Sequence, residues 1–147
     1  NNVAKNISLY NNTFVVSAET SPIILKSNGE RNFEFYNNII YNMSANAKFE
    51  IADTKNALVS NNLVYSSADG KIAGLEAFKT ANEYGLYVDP QFVSVYSDKA
   101  ARTGRSFADN FKLKSSSPAF GMAREANRVK DFFGNPYSNA IGFFCGE

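Results

Sequence analysis

The most constraining feature of this chain is an asparagine pair that occurs three times, at positions 11–12, 37–38 and 61–62, so that the intervals are 26 and 24 residues. Each pair stands between two short β-rich runs, and nothing inside the repeat has the spacing of an amphipathic helix. A period of this length built from strands and turns is typical of a solenoid, in which successive repeats stack along one axis.

Stacking predicts which residues share a face. A strand–turn–strand unit of about 25 residues cannot bury its apolar face alone, so we expect each strand to pair in parallel with the same strand of the next repeat. Alignment on the asparagine pairs gives two columns expected to face inward: Ile7, Phe33 and Ala57, and Leu9, Phe35 and Val59. It gives two columns expected to face outward: Ser8, Glu34 and Leu58, and Tyr10, Tyr36 and Ser60.

The second asparagine of each pair is predicted to form a ladder. At a turn, the carboxamides of Asn12, Asn38 and Asn62 can each donate to the repeat on one side and accept from the repeat on the other. The alternative is that the pairs mark hairpin turns in an antiparallel sandwich. That arrangement does not explain why the flanking columns match in character.

Further strands complete the repeats. Residues 22–26 and 48–52 are predicted third strands of the first two repeats, with Phe49 and Ile51 facing inward, and residues 27–32 and 53–56 are the corners. After Gly70 the period breaks.

The remainder is predicted to close the stack. Leu75, Phe78 and Ala81 have helical spacing in a segment that ends at Gly85, which predicts a short helix against the open side or end of the stack. Residues 97–110 are polar and predicted to be a loop. Terminal segments of atypical sequence usually cover the exposed strand edges and core at the ends of such stacks, and we expect this part of the chain to do so.

The repeats and the tail together resemble a known family. The tail contains, in order, Asp89-Pro90-Gln91-Phe92, residues 110–121, residues 131–137 and residues 140–144. This arrangement resembles the C-terminal closing segment of right-handed parallel β-helix proteins, in particular the pectate-lyase-like, secreted polysaccharide-processing group. The resemblance covers nearly the whole chain and implies an all-β, right-handed parallel β-helix fragment of about three coils.

The resemblance also implies an organisation. Residues 1–69 would be β-helix coils, and residues 70–147 a short helix, terminal strands and an irregular C-terminal cap, all in one domain. The chain begins at Asn1 without an initiator Met, and we expect this start to lie partway into a coil and to follow preceding coils of the same chain. The resemblance implies a secreted, cell-surface or periplasmic location.

Composition limits the classes of partner. The chain has 15 Lys and Arg against 14 Asp and Glu, without a basic cluster, so it lacks an electrostatic footprint for nucleic acid or an anionic membrane. No apolar stretch approaches the ~20 residues of a membrane span, so no membrane insertion is expected. With 147 residues and 44% hydrophobic content, one domain is expected. The lone Cys145 cannot form an internal disulfide.

The chemistry available to the chain is narrow. It has no His and one Cys, which removes Ser–His–Asp and Cys–His relays and a structural zinc site. In the family it resembles, hydrolases use clustered carboxylates on adjacent coils, and lyases combine carboxylate-bound Ca²⁺ with a Lys or Arg base. The outward columns hold one carboxylate and no basic partner in register. No catalytic residue, metal ligand or cofactor is therefore predicted in this fragment, with Ca²⁺ expected only in a parent protein.

The outward columns do offer a candidate carbohydrate-binding site. Tyr10, Glu34 and Tyr36 would form an aromatic platform with one carboxylate for a polysaccharide or glycan. The alternative is an ordinary exposed tyrosine stack in which the rings support each other across repeats.

Two functions follow from these predictions. The leading hypothesis is a structural, itself non-catalytic C-terminal end of an extracellular carbohydrate-active β-helix protein of the polysaccharide lyase or glycoside hydrolase type. The alternative is a non-catalytic carbohydrate-binding or surface-adhesion solenoid.

Overall fold

The computed structural model describes residues 6–16, 22–26, 32–45, 47–52, 57–67, 72–95, 104–125, 130–136 and 139–142. These ranges contain eight strands and two helices. The strands are β1 (Ile7–Tyr10), β2 (Thr13–Val16), β3 (Pro22–Lys26), β4 (Phe33–Tyr36), β5 (Ile39–Asn42), β6 (Lys48–Ala52), β7 (Ala57–Ser60) and β8 (Leu63–Ser66). The helices are α1 (Leu75–Ala81) and α2 (Gly104–Asp109).

The strands form three parallel sheets, and successive repeats contribute successive strands to each sheet. Sheet 1 has the order β1-β4-β7, sheet 2 the order β2-β5-β8, and sheet 3 pairs β3 with β6. The predicted register is confirmed, because Leu9 pairs with Phe35 and Phe35 with Val59. All pairs among these eight strands are parallel, which contradicts the antiparallel sandwich.

The two asparagines of each pair have different tasks. The first one lies between a strand of sheet 1 and a strand of sheet 2, and its backbone is left-handed, with φ of 55° at Asn11, 55° at Asn37 and 51° at Asn61. Asn adopts this conformation more readily than most residues, so the position turns the chain without glycine.

The second asparagine forms the predicted ladder. Asn12 Nδ2 donates to Asn38 Oδ1 at 3.1 Å, and Asn38 Nδ2 donates to Asn62 Oδ1 at 3.0 Å. Each of these oxygens also accepts from the backbone N–H of the preceding ladder residue, at 3.0 and 2.9 Å. The Nδ2 groups of Asn38 and Asn62 reach back to the carbonyls of Leu9 and Phe35, at 2.9 and 2.8 Å. The carboxamides thus pair with backbone groups that the corner leaves outside the sheets.

The ladder has a fourth residue, Asn82, which the sequence did not reveal. The side chain and the backbone N–H of Asn62 both donate to Asn82 Oδ1, at 3.0 and 3.1 Å. Asn82 is the C-cap of α1, and this helix contacts β6 of sheet 3. Parallel bridges extend each sheet by one more repeat, at Lys48–Ala73 in sheet 3, Ser60–Glu83 in sheet 1 and Leu63–Leu86 in sheet 2.

The predicted helix is confirmed, with an earlier end than expected. It begins after Gly74, whose φ is 76° and where a Cβ would collide with the carbonyl oxygen of Phe49. Phe78 is fully buried, with its ring centroid 4.5 Å from that of Phe49. The helix therefore covers the apolar interior at the end of the stack where sheet 1 stops.

The interior between the sheets is the first core. Its buried members are Phe35, Ile40, Ala47, Phe49, Val59, Val64, Ile72 and Phe78. A second core lies on the other side of sheet 2, where the tail packs. Its buried members are Ile39, Tyr41, Leu63, Phe92, Phe111, Leu113, Ala119 and Ile141.

The tail therefore covers a face of the stack. Because β5 has a core on each side, all four of its residues are buried. The prediction that the tail closes the ends of the stack is wrong for these segments. Sheet 2 turns apolar side chains outward at Ile39 and Leu63, and the tail packs against them.

The polar segment 97–110, predicted as a loop, contains α2. Phe107 in this helix packs edge-on against Phe111, at 5.2 Å between centroids, which anchors the helix to the second core. The side chain of Ile51, Cys145 and the corners at 27–31 and 53–56 lie outside the described residues.

The opposite end of the stack is open. Leu9, predicted to be inward and buried, is 40% exposed, whereas its register partner Phe35 is 2% exposed. Ile7 and Phe14 are each 38% exposed. The reason is position, since β1 and β2 are the outer strands of their sheets.

Asn38→Ala should lower the free energy of unfolding much more than Asn32→Ala. Asn38 is fully buried, and loss of its carboxamide leaves backbone groups without partners at about 1–3 kcal/mol each, whereas Asn32 is exposed and its side chain donates to Asn6. Urea denaturation of both variants measures the difference. Equal midpoints would show that the buried asparagines do not stabilise the stack.

Candidate functional site

The candidate site lies on the outer face of sheet 1. Glu34 lies beside Ser8 in the register of β1 and β4, and Ser8 Oγ donates to Glu34 Oε2 at 2.6 Å. The hydroxyl holds the half-buried carboxylate along the sheet surface, and Leu58 is the next residue of the column.

The neighbouring column is aromatic. The rings of Tyr10 and Tyr36 stack almost in parallel, with centroids 5.0 Å apart and planes at 8°. Parallel register places the two rings over each other, as the sequence predicted. The third member, Ser60, is buried.

A segment of the tail, which we call the strap (residues 121–125), crosses the stack beside this column. Asn37 Nδ2 donates to the carbonyl of Arg124 at 2.7 Å, and the Arg124 N–H donates to Asn37 Oδ1 at 2.8 Å. In the next repeat, Asn61 Nδ2 donates to the carbonyl of Met122 at 3.1 Å. The carboxamides of Asn37 and Asn61 thus hydrogen-bond to the backbone of the strap, much as the backbone of a neighbouring strand would.

A second tail segment reaches the same corner. The N–H of Gly142 donates to the carbonyl of Asn37 at 2.8 Å. Gly142 has φ of 94°, and a Cβ there would lie 2.7 Å from Ile39 Cδ1. Only glycine allows the chain to approach sheet 2 this closely.

The strap changes the predicted platform. The Arg124 guanidinium lies 5.7 Å from the centroid of the Tyr36 ring, a cation–π contact. Tyr36 was predicted to be outward and accessible, but it is 9% exposed because tail residues pack beside it. Tyr10, in the outer strand, keeps partial exposure.

The three predicted residues therefore lie together in unequal roles. Tyr10 offers an accessible ring and Glu34 a hydrogen-bond acceptor. Tyr36 stacks on the ring of Tyr10 and holds it in position. A ring beside a carboxylate suits a sugar, whose C–H face packs on the aromatic and whose hydroxyls donate to the oxygens. Among the described residues, no group of three His, Cys, Asp or Glu is arranged to hold a metal ion.

Arg124 is the site residue that sequence reasoning missed. It lies 87 positions after Asn37, and no local pattern connects the two. The signal that was available was the first asparagine of each pair, because a carboxamide at a corner needs hydrogen-bond partners.

Asn37→Gly should release the strap without unfolding the sheets, because glycine keeps the left-handed backbone at this corner. The Arg124 amide should lose protection from hydrogen exchange by at least about tenfold, since its acceptor is removed. The Leu63 amide, bonded to the carbonyl of Asn38, is the internal control. Unchanged exchange at Arg124 would show that the carboxamide does not hold the strap.

Neither described helix is long and apolar enough to cross a membrane. Comparison of the chain with models of known families, with curated proteins and with solved structures gave no match.

Proposed function

We propose that the chain is the C-terminal end of a right-handed parallel β-helix in a secreted, cell-surface or periplasmic carbohydrate-active protein, and is itself non-catalytic. In this proposal residues 1–69 are the last coils, and residues 70–147 supply the helix that covers the end of the stack and the tail that covers sheet 2, within the same domain. The parent protein would be of the polysaccharide lyase or glycoside hydrolase type, with any Ca²⁺ site in its other coils.

The observation that carries the proposal is the difference between the two ends of the stack. At one end the ladder stops at Asn82 and the helix α1 buries Phe78 over the interior. At the other end Leu9 and Phe14 are exposed, while their register partners Phe35 and Ile40 are buried. A stack whose interior is covered at one end and exposed at the other supports a chain that follows further coils. Those preceding coils would cover the exposed side chains of β1 and β2.

The non-catalytic role follows from the residues on the outer face. Glu34 is the only carboxylate in the two outward columns, and its near partner is the Ser8 hydroxyl. Acid–base cleavage of a glycan needs two groups matched across the bond, or a base with a counter-charge for a uronate.

A second candidate is a non-catalytic carbohydrate-binding or surface-adhesion solenoid. The partly exposed ring of Tyr10 next to Glu34 favours it, because the pair provides a small sugar platform without catalytic groups. The two candidates differ in what the preceding coils would carry, and they agree that this chain is itself non-catalytic.

An added repeat tests the architecture. A second copy of residues 33–56, fused directly before Ile7, should raise the melting temperature by about 5–10 °C, because it pairs with β1 and β2 and buries their exposed side chains. The matched control is the same 24 residues in scrambled order. Identical melting of the two fusions would contradict the proposal.

Glycan binding and cleavage test the function. Pectate, alginate and chondroitin, with and without Ca²⁺, should release no unsaturated uronate, and any binding to the outer face of sheet 1 should be lost in Tyr10→Ala. Tyr84→Ala is the control, since Tyr84 is 71% exposed and lies outside both columns. Product formation abolished by a substitution in this chain would overturn the non-catalytic role.

A further inference from the structure

A cleft of about 630 Å³ lies at the closed end of the stack, between β8 and α1. Its volume is within the range of about 300–1,000 Å³ common to small-molecule sites. It is separate from the face that carries Tyr10 and Glu34, and the proposed function does not use it.

The inner part of the cleft is apolar. Val64 and Ile72 are buried members of the first core, and Leu75 packs against that core from the first turn of α1. These side chains offer a surface for the C–H groups of a ligand.

The outer part carries a charge pair. Lys79 Nζ lies 2.8 Å from Glu76 Oε1, and the Glu76 side chain is 85% exposed. The ammonium retains further donors and the carboxylate further acceptor positions after this contact. Because the charges cancel, the pair suits a ligand without net charge.

Tyr87 adds a donor. Its hydroxyl accepts from Asn82 Nδ2 at 3.0 Å, and within the described part of the chain its own proton has no acceptor. Burial raises the pKa of the Tyr87 phenol, although the Asn82 hydrogen bond and the nearby Lys79 lower it. The hydroxyl therefore stays protonated at neutral pH.

A second ion pair, Lys112–Asp109, resembles the Lys79–Glu76 pair and serves as a comparison. Lys112 Nζ also lies 2.8 Å from a carboxylate three residues earlier, that of Asp109, and it also contacts an aromatic ring, that of Phe133. Both lysine side chains are 37% exposed. The Lys112 pair has a phenylalanine in place of a tyrosine and does not line this cleft.

We propose that the cleft binds a neutral pyranose through two adjacent hydroxyls. One hydroxyl accepts from Lys79 Nζ and its neighbour donates to the Glu76 carboxylate, because hydroxyls on adjacent ring carbons have nearly the spacing of the two charged groups. A further sugar oxygen accepts from Tyr87, and the apolar face of the ring packs on Val64, Ile72 and Leu75. The site is a second carbohydrate contact, independent of Tyr10.

The probes are the methyl glycosides of glucose, galactose and mannose, titrated into the whole chain and followed by amide chemical shifts. At least one glycoside should shift the amides of residues 72–76 and 87 in a saturable way. Lys79→Gln, Glu76→Gln and Tyr87→Phe should each weaken its binding, the two charge variants by about tenfold. Lys112→Gln is the matched control and should stay within about twofold.

Three results would overturn the proposal. They are the absence of saturable shifts in the cleft for all three glycosides, equal binding of tetrahydropyran, which lacks the hydroxyls, and equal loss of binding in Lys112→Gln. Because Tyr10→Ala leaves the cleft intact, binding that survives Tyr10→Ala but not Glu76→Gln assigns the sugar to the cleft. Failure here leaves the function proposed for the sheet 1 face standing.

Discussion

The structure depends on a buried carboxamide that repeats from one strand layer to the next. A fully buried asparagine must pair both hydrogens and its oxygen without water, and a parallel stack lets the same residue of the neighbouring repeats do this. Asn38 and Asn62 meet the requirement with the neighbouring ladder asparagines and with backbone carbonyls. Slipping a repeat by one residue would break these bonds and also turn Phe35 away from the first core. The ladder and the apolar columns therefore specify the same register.

Much of this register was predictable because it repeats in the sequence. The strand pairing, the Asn12–Asn38–Asn62 ladder and the short helix all follow from local patterns with a period. Asn82 was missed because it stands alone after a helix, where the pattern of paired asparagines has stopped. The burial of Tyr36 was missed for a different reason, since Arg124 reaches it from a distant segment with no period of its own.

Both faces of sheet 2 are covered, the inner face by the first core and the outer face by the tail. Strands β5 and β8 alternate apolar side chains to both sides, and the inner set joins the first core while the outer set requires a cover. The segments around Phe92, Phe111 and Ile141 provide it. The strap, held by Asn37 and Asn61, then leaves Tyr10 as the accessible ring of the outer face. The same packing that stabilises the stack thus determines which ring of the outer face stays accessible.

The most direct test of this account is an NMR measurement of scalar couplings across the ladder hydrogen bonds. We expect the backbone amide nitrogens of Asn12, Asn38 and Asn62 to couple to the side-chain carbonyl carbons of Asn38, Asn62 and Asn82, respectively, because each N–H donates to that oxygen at 3.1 Å or less. Coupling of these amides to backbone carbonyls instead would contradict the ladder and the parallel register built on it.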